Sequence, residues 1–260
     1  MMSFKVRDEF SELRDFALSL PDTFDRIGSV LHNSRNVIKK VSTSQGTFVV
    51  KSFKGMYLFN KIAYSLFRKS KAVRSYLYSA VLNEKGISTP AHVAWVDYYK
   101  MGLLTGSYFV SVYDTNQTLE QVLFYYNNND KVSGKREFLA QLAGFAKKLH
   151  DLGIYHEDFS VGNILVKKSP EGYDFALLDL NRVRFRKVNF HKGLRNFFTM
   201  NLSRQDMDAL IGEYARLSGQ LPAEAINEFW AHHNRKSNLR RLRRKIRRNT
   251  IARFENIVKR

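Results

Sequence analysis

The sequence has no cysteine. A disulfide scaffold, a thiol nucleophile and a thiolate-held metal are excluded together, and a reducing compartment is the fitting expectation. Proline is scarce and no internal repeat is visible, which argues against a repeat array. Long apolar runs are missing too. The longest uncharged window, Met101 to Tyr113, is well short of the roughly 18 apolar residues of a membrane span. Lys5, Arg7, Asp8 and Glu9 bring charge too early for a secretory signal, so a protein that is soluble or sits at a surface is expected. Acidic residues are outnumbered, 24 against 43 Lys+Arg, leaving a net charge of +19 over 260 residues. The apolar fraction of 44% and the aromatic fraction of 13% belong to a packed globular chain and exclude wholesale disorder. The charge asks for anionic partners: nucleic acid, an acidic membrane face or phosphorylated small molecules.

The pattern changes near the middle. Residues 8–20 have amphipathic helical spacing, closed by Pro21. Val37–Val41 and Thr47–Phe53 are β-favouring runs around a Gly46-containing turn, a hairpin. Residues 70–85 space Val73, Leu77, Val81 and Leu82 as a helix does, with Gly86 at the C-cap. His92–Val96 and Ser107–Tyr113 are strands. Beyond Asp114 helices dominate: Thr118–Tyr126 with Thr118 as cap, then Lys135–Leu152 with Phe138, Leu142, Phe145, Ala146 and Leu149 on one face. Ile164–Val166 and Phe175–Leu178 form a second hairpin around Ser169–Gly172. The sum is an α+β, two-lobe pattern: an antiparallel-sheet N-lobe over residues 1–113, a helical C-lobe over 114–234 and a basic tail over 235–260.

The chemistry concentrates after the long helix. His156-Glu157-Asp158 is followed by Asn163, five residues past the aspartate, and Asp179 stands at the far end of the hairpin. His-x-Asp alone arises by chance, as a buried histidine or a capping aspartate. The full set, with its order, spacing and flanking strands, resembles the catalytic loop and metal-binding aspartate of kinases. Phosphoryl transfer needs one carboxylate to accept the acceptor's proton, and an Asn oxygen and a second carboxylate to hold Mg²⁺ on nucleotide phosphates. Asp158, Asn163 and Asp179 match these parts. His156 would orient the loop. Lys51, ending the run Phe48-Val49-Val50, matches the phosphate-pairing lysine, and Val112-Tyr113-Asp114 the hinge that meets adenine.

Ser160 stands where protein kinases carry lysine, and no Ala-Pro-Glu follows Asp179, so a peptide-binding activation segment is absent. The protein-kinase-like fold of small-acceptor kinases fits better. Gly86-Ile87-Ser88-Thr89-Pro90, the His156–Asn163 loop and Asp179-Leu180-Asn181-Arg182 with Arg184 resemble the lipopolysaccharide kinase family, over roughly residues 30–200. That resemblance implies a phosphotransferase using ATP and Mg²⁺ on a hydroxyl of Kdo or heptose in the lipopolysaccharide inner core. Two features depart from kinase pattern. The Gly-rich loop is replaced by His32–Asn36, where backbone amides and Arg35 would meet phosphates. The helix glutamate that pairs with Lys51 has only Glu84 as a candidate, about two turns later than expected.

Two basic clusters remain. Arg182, Arg184, Arg186, Lys187, His191, Lys192 and Arg195 follow the metal aspartate, and Arg182 and Arg184 are expected to bind carboxylates or phosphates of the acceptor. Arg235–Arg248 holds nine basic residues and no acid, with Leu239, Leu242 and Ile246 at helical spacing. Such a helix suits an anionic inner-membrane face or acidic glycolipid ahead of nucleic acid, or is a solvated terminal helix. A cytoplasmic enzyme is expected. The alternatives are a kinase of another small acceptor, similar to aminoglycoside phosphotransferases, and a pseudokinase or nucleic-acid-binding scaffold using the tail.

Overall fold

A computed structural model describes residues 1–53, 69–129 and 132–235. The basic tail lies, from Lys236 on, outside the described residues. The first half is a six-stranded antiparallel sheet built from β1 (Met2–Val6), β2 (Ser29–Asn33), β3 (Val37–Thr43), β4 (Gly46–Ser52), β5 (His92–Lys100) and β6 (Leu103–Val112). Its order is β1-β5-β6-β4-β3-β2. Two helices cover its faces: α1 (Arg14–Thr23) and α2 (Lys71–Glu84). The two-residue period of a strand sorts the side chains. Phe48, Val50, Tyr108 and Val110 pack against Leu13, Ala17 and Leu20, whereas Phe109 packs with Phe53, Ala72 and Tyr76. Lys51 sits opposite Phe109 in the register, so alternation puts it on the α2 side of the sheet.

Pro21 does not end the first helix. A 3₁₀ turn over Asp8–Leu13 leads into α1, which runs through Pro21 to Thr23. The buried side chains of Ala17, Leu20 and Phe24 hold the last turn on the sheet. Buried Lys39 donates to the carbonyls of Phe24, Asp25 and Ile27 at 2.8–3.0 Å, meeting acceptors at the end of the helix. Two strands of this sheet were not read from the sequence. β1 alternates apolar and polar side chains over only five residues, and every residue of β2 is exposed.

The second half is built on α3 (Leu119–Asn127), α4 (Lys135–Asp151), α5 (Phe190–Asn196), α6 (Arg204–Leu217) and a helix over residues 222–235. Thr118 and Gln121 close a capping box on α3. Between the helices lie β7 (Gln117–Thr118), β8 (Ile154–His156), β9 (Ile164–Ser169), β10 (Gly172–Leu177) and β11 (Val183–Phe185). They form a three-stranded sheet, β10-β9-β7, and a two-stranded ribbon, β11-β8. One continuous core joins α3, α4, α6 and the hairpin, with Phe138, Phe159, Phe197, Tyr214 and Phe229 at its centre. Leu82, in the last turn of α2, and Ile87, just past its end, belong to this second core, so α2 is shared between the halves. No helix among the described residues is long and apolar enough to cross a membrane.

Candidate active site

The catalytic loop is held from several sides. His156 ends β8 and is 1% exposed. Its Nε2 donates to the Leu178 carbonyl at 2.9 Å, and its Nδ1 accepts the Asp158 amide at 3.2 Å. One imidazole thus ties the residue before Asp179 to the backbone of Asp158. Burial pushes the His156 pKa down, which keeps the ring neutral and this donor–acceptor pattern fixed. Asn163 donates through Nδ2 to the Asp158 carbonyl at 2.9 Å and to Ser160 Oγ at 3.1 Å. Its own carbonyl accepts the Leu178 amide at 2.9 Å. With Nδ2 spent on the loop, Oδ1 is the atom left to ligate.

Asp179 adopts the left-handed conformation, φ 51° and ψ 49°. This is a strained setting that a short acidic side chain tolerates and that functional sites often retain. Its carboxylate receives Lys51 Nζ and Asn181 Nδ2, and Arg182 Nε lies 3.6 Å away. Burial alone would raise its pKa. The Lys51 ammonium outweighs that, with help from Arg182, and holds the carboxyl below its usual range. The segment Gly86–Pro90 steadies the approach to this residue: the Leu177 carbonyl accepts Thr89 Oγ1 and the Leu177 amide reaches the Ser88 carbonyl, both at 2.9 Å.

The sheet half reaches the same place. Lys51 Nζ spans the cleft to Asp179, joining β4 to the end of the β9–β10 hairpin. Arg35 lies in the turn Ser34–Asn36 between β2 and β3, the site of the missing Gly-rich loop. Tyr113 and Asp114 form the crossing from β6 to β7, with Lys40 Nζ 4.1 Å above the Tyr113 ring and Asp114 Oδ1 accepting the Asn116 amide at 2.8 Å. Glu84 is not brought to the site. It ends α2 exposed, and no ion pair joins it to Lys51 among the described residues. The two extra helical turns carry it toward the second core and past the strand lysine. Arg184 is also engaged elsewhere, with Nε and Nη2 on Glu157 at 3.0 and 2.9 Å. Arg182, beside Asp179, remains at the cleft.

Sequence reading missed the scaffold behind the loop. Asn196, at the end of α5, donates to the His156 carbonyl at 2.6 Å. Its Oδ1 meets His150 Nε2 at 2.9 Å, and His150 Nδ1 meets the Tyr214 hydroxyl at 2.9 Å. All three residues are buried. Since Asn196 spends its amide on the carbonyl, its oxygen accepts, so His150 Nε2 carries the proton and Nδ1 accepts from Tyr214. This gives a directed chain from α6 to the catalytic loop. Its members are far apart in sequence, and no local motif marks them.

Burial also depresses the pKa of His150 and His92. Three histidines therefore stay neutral in the fold while the unfolded chain would protonate them near pH 6.5. The unfolded state binds more protons as pH falls through that value, so stability is complete above it and is lost below it. The expected result is a melting temperature that falls between pH 7.5 and 5.5, with a limiting slope of about 1.4 kcal/mol per pH unit for each histidine. Thermal scans across buffers check this, and a flat profile contradicts the assignment of neutral buried rings.

The sequence model of the lipopolysaccharide kinase (Kdo/WaaP) family matches residues 49–214, more than half of the chain. The chain belongs to this family. It is accordingly a kinase, a transferase of lipopolysaccharide biosynthesis, and use of ATP follows from that membership. Among many solved chains that match is WaaP in complex with acyl carrier protein. It superposes with a TM-score of 0.63 at 15% identity, covering 91% of this chain and 98% of that one. At that identity the likeness establishes the fold: a protein-kinase-like architecture with an antiparallel sheet and several helices. No curated protein sequence matches the chain.

Asn163 and Asp179 suit a hard divalent cation. They offer oxygen donors, one carboxamide and one partly buried carboxylate of depressed pKa, and Mg²⁺ takes few protein ligands beside phosphate and water. Among the described residues no cluster of three His or carboxylate ligands competes for a metal.

Proposed function

We propose that this kinase transfers the γ-phosphate of Mg·ATP to a hydroxyl of an inner-core lipopolysaccharide sugar, Kdo or heptose. The observation that carries the reading is the contact of Lys51 with Asp179, beside a loop in which Asn163 holds the Asp158 carbonyl, within a chain of this family. Asp158 accepts the proton of the acceptor hydroxyl as its oxygen attacks the γ-phosphorus. The bond to the bridging oxygen breaks and ADP leaves, its charge met by Lys51. Asn163 and Asp179 would hold Mg²⁺, which would supply neutralisation of phosphate charge. His156 keeps Asp158 and the metal ligands in register. Tyr113 and Asp114 offer the backbone for adenine. Arg182 is the cation for an acidic group of the acceptor, Arg184 being committed to Glu157.

The excess positive charge suits a cytoplasmic enzyme at the inner-membrane face, where acceptor and surface are both anionic. Residues 235–248 are the part assigned to that surface.

The test is ADP release from ATP with and without purified lipopolysaccharide. Acceptor-dependent release is expected, and loss of one core phosphate, read by mass spectrometry in a strain lacking the protein, identifies the sugar. Release indifferent to the acceptor, or steeply salt-dependent RNA binding without turnover, overturns the reading. Truncation after Arg235 is expected to raise KM for micellar acceptor and to leave that for ATP unchanged.

A further inference from the structure

Kinases usually brace the strand lysine with a glutamate from the adjoining helix. Here that helix is α2, and it brings cations. Lys71 is its first residue, after the Ser70 cap, and its first turn has no acid. A positive charge there opposes the helix dipole. The Lys71 ammonium lies 5.7 Å from the centre of the Phe53 ring, and the Lys51 ammonium lies 5.3 Å from the same centre. The short turn Leu180–Arg182 packs on α2, which brings Arg182 to the same corner.

Burial pushes the Lys71 pKa down, and Arg182, Arg35 and Arg74 push it further; Asp179 alone opposes them. That carboxylate already serves Lys51, Asn181 and Arg182. Among the described residues no ion pair forms on Lys71, and Arg74 Nε is buried without a hydrogen-bond partner. Lys71, half-buried among these cations with one shared carboxylate, is better satisfied when an anion joins it.

We propose that Lys71 is a second phosphate-binding lysine of the nucleotide site, which with Arg35 takes the polyphosphate of ATP or ADP and leaves Arg182 to the acceptor. It stands on the helix where kinases commonly place an acid. The assignment rests on the nucleotide cleft proposed above. A phosphate carried by the acceptor has the same chemistry, and the experiment separates the two.

The full chain is titrated with Mg·ATP, Mg·ADP and adenosine by calorimetry, alongside Lys71→Met and Lys71→Arg, with melting temperatures as the folding control. Lys71→Met is expected to weaken ATP and ADP binding about tenfold or more, through loss of a charge-assisted contact. Adenosine affinity stays unchanged, and Lys71→Arg restores most of the loss. ATP and ADP affinities within about twofold of the parent, the range of a solvated cation, overturn the role of Lys71 and leave the nucleotide cleft standing. A raised acceptor KM with unchanged ATP affinity overturns it too and assigns the lysine to the acceptor. Failure of the parent protein to bind any nucleotide removes the cleft assignment and this inference together.

Discussion

Asp158→Asn is expected to lower kcat by about a thousandfold while ATP affinity stays close to that of the parent, the loss associated with removing a general base. The substitution keeps shape and size. It also keeps every contact that positions the residue, because those run through the backbone: the amide to His156 Nδ1 and the carbonyl to Asn163 Nδ2. What it removes is the ability to accept a proton. The nucleotide and metal groups, Lys51, Asn163 and Asp179, are untouched, so binding and turnover should separate. Coupled ADP release and independent ATP titration measure the two sides. Retained turnover sinks the role given to Asp158. Parallel loss of turnover and ATP binding places the carboxylate in the nucleotide site instead.

Gly193→Ala has the largest expected effect on stability. An added Cβ would lie 2.0 Å from the Tyr214 hydroxyl oxygen and 2.9 Å from His150 Nδ1. Neither ring can retreat: Tyr214 is 2% exposed and His150 4%. The glycine is in α5 with ordinary helical backbone, so the cost is contact alone. Overpacking plus loss of a buried hydrogen bond amounts to about 3 kcal/mol. The damage should also reach kcat, because the displaced pair supports Asn196 and, through it, the His156 carbonyl. Thermal unfolding and steady-state kinetics give both readouts. Tyr214→Phe in the same chain removes the nearest atom and should recover part of the stability, though Cζ would still be 2.9 Å from the new carbon. A melting temperature unchanged by Gly193→Ala would show that α5 shifts freely, and the chain from Tyr214 to the loop would lose its meaning.

The chemistry was legible in the sequence where it is local. His156, Asp158 and Asn163 fall within one loop, and the hairpin that carries Asp179 announces itself by a turn between apolar runs. Gly86 was readable as a helix end because a positive φ, here 68°, favours glycine. Strand β2 was not readable, since an edge strand with all its residues exposed has no apolar alternation. The reach of α1 past Pro21 was hidden because burial of Leu20 and Phe24 overrides a local breaker. Glu84 was proposed from the scarcity of acids along the segment, and sequence distance gave no sign that Lys51 would meet Asp179. Lys71 was missed for a related reason: a lysine opening a helix reads as surface until the fold sets it beside Phe53 and Arg182.

Helix α2 begins at Lys71 beside the cleft and ends in the packing of the second half, where Leu82 and Ile87 are essentially inaccessible to water. In signalling kinases the corresponding helix swings, and the making or breaking of its glutamate–lysine pair turns activity on and off. Here the helix supplies no carboxylate to Lys51 and is anchored at its far end, so that switch has neither contact nor lever. In an enzyme built this way, a swing of α2 is not expected to gate Lys51.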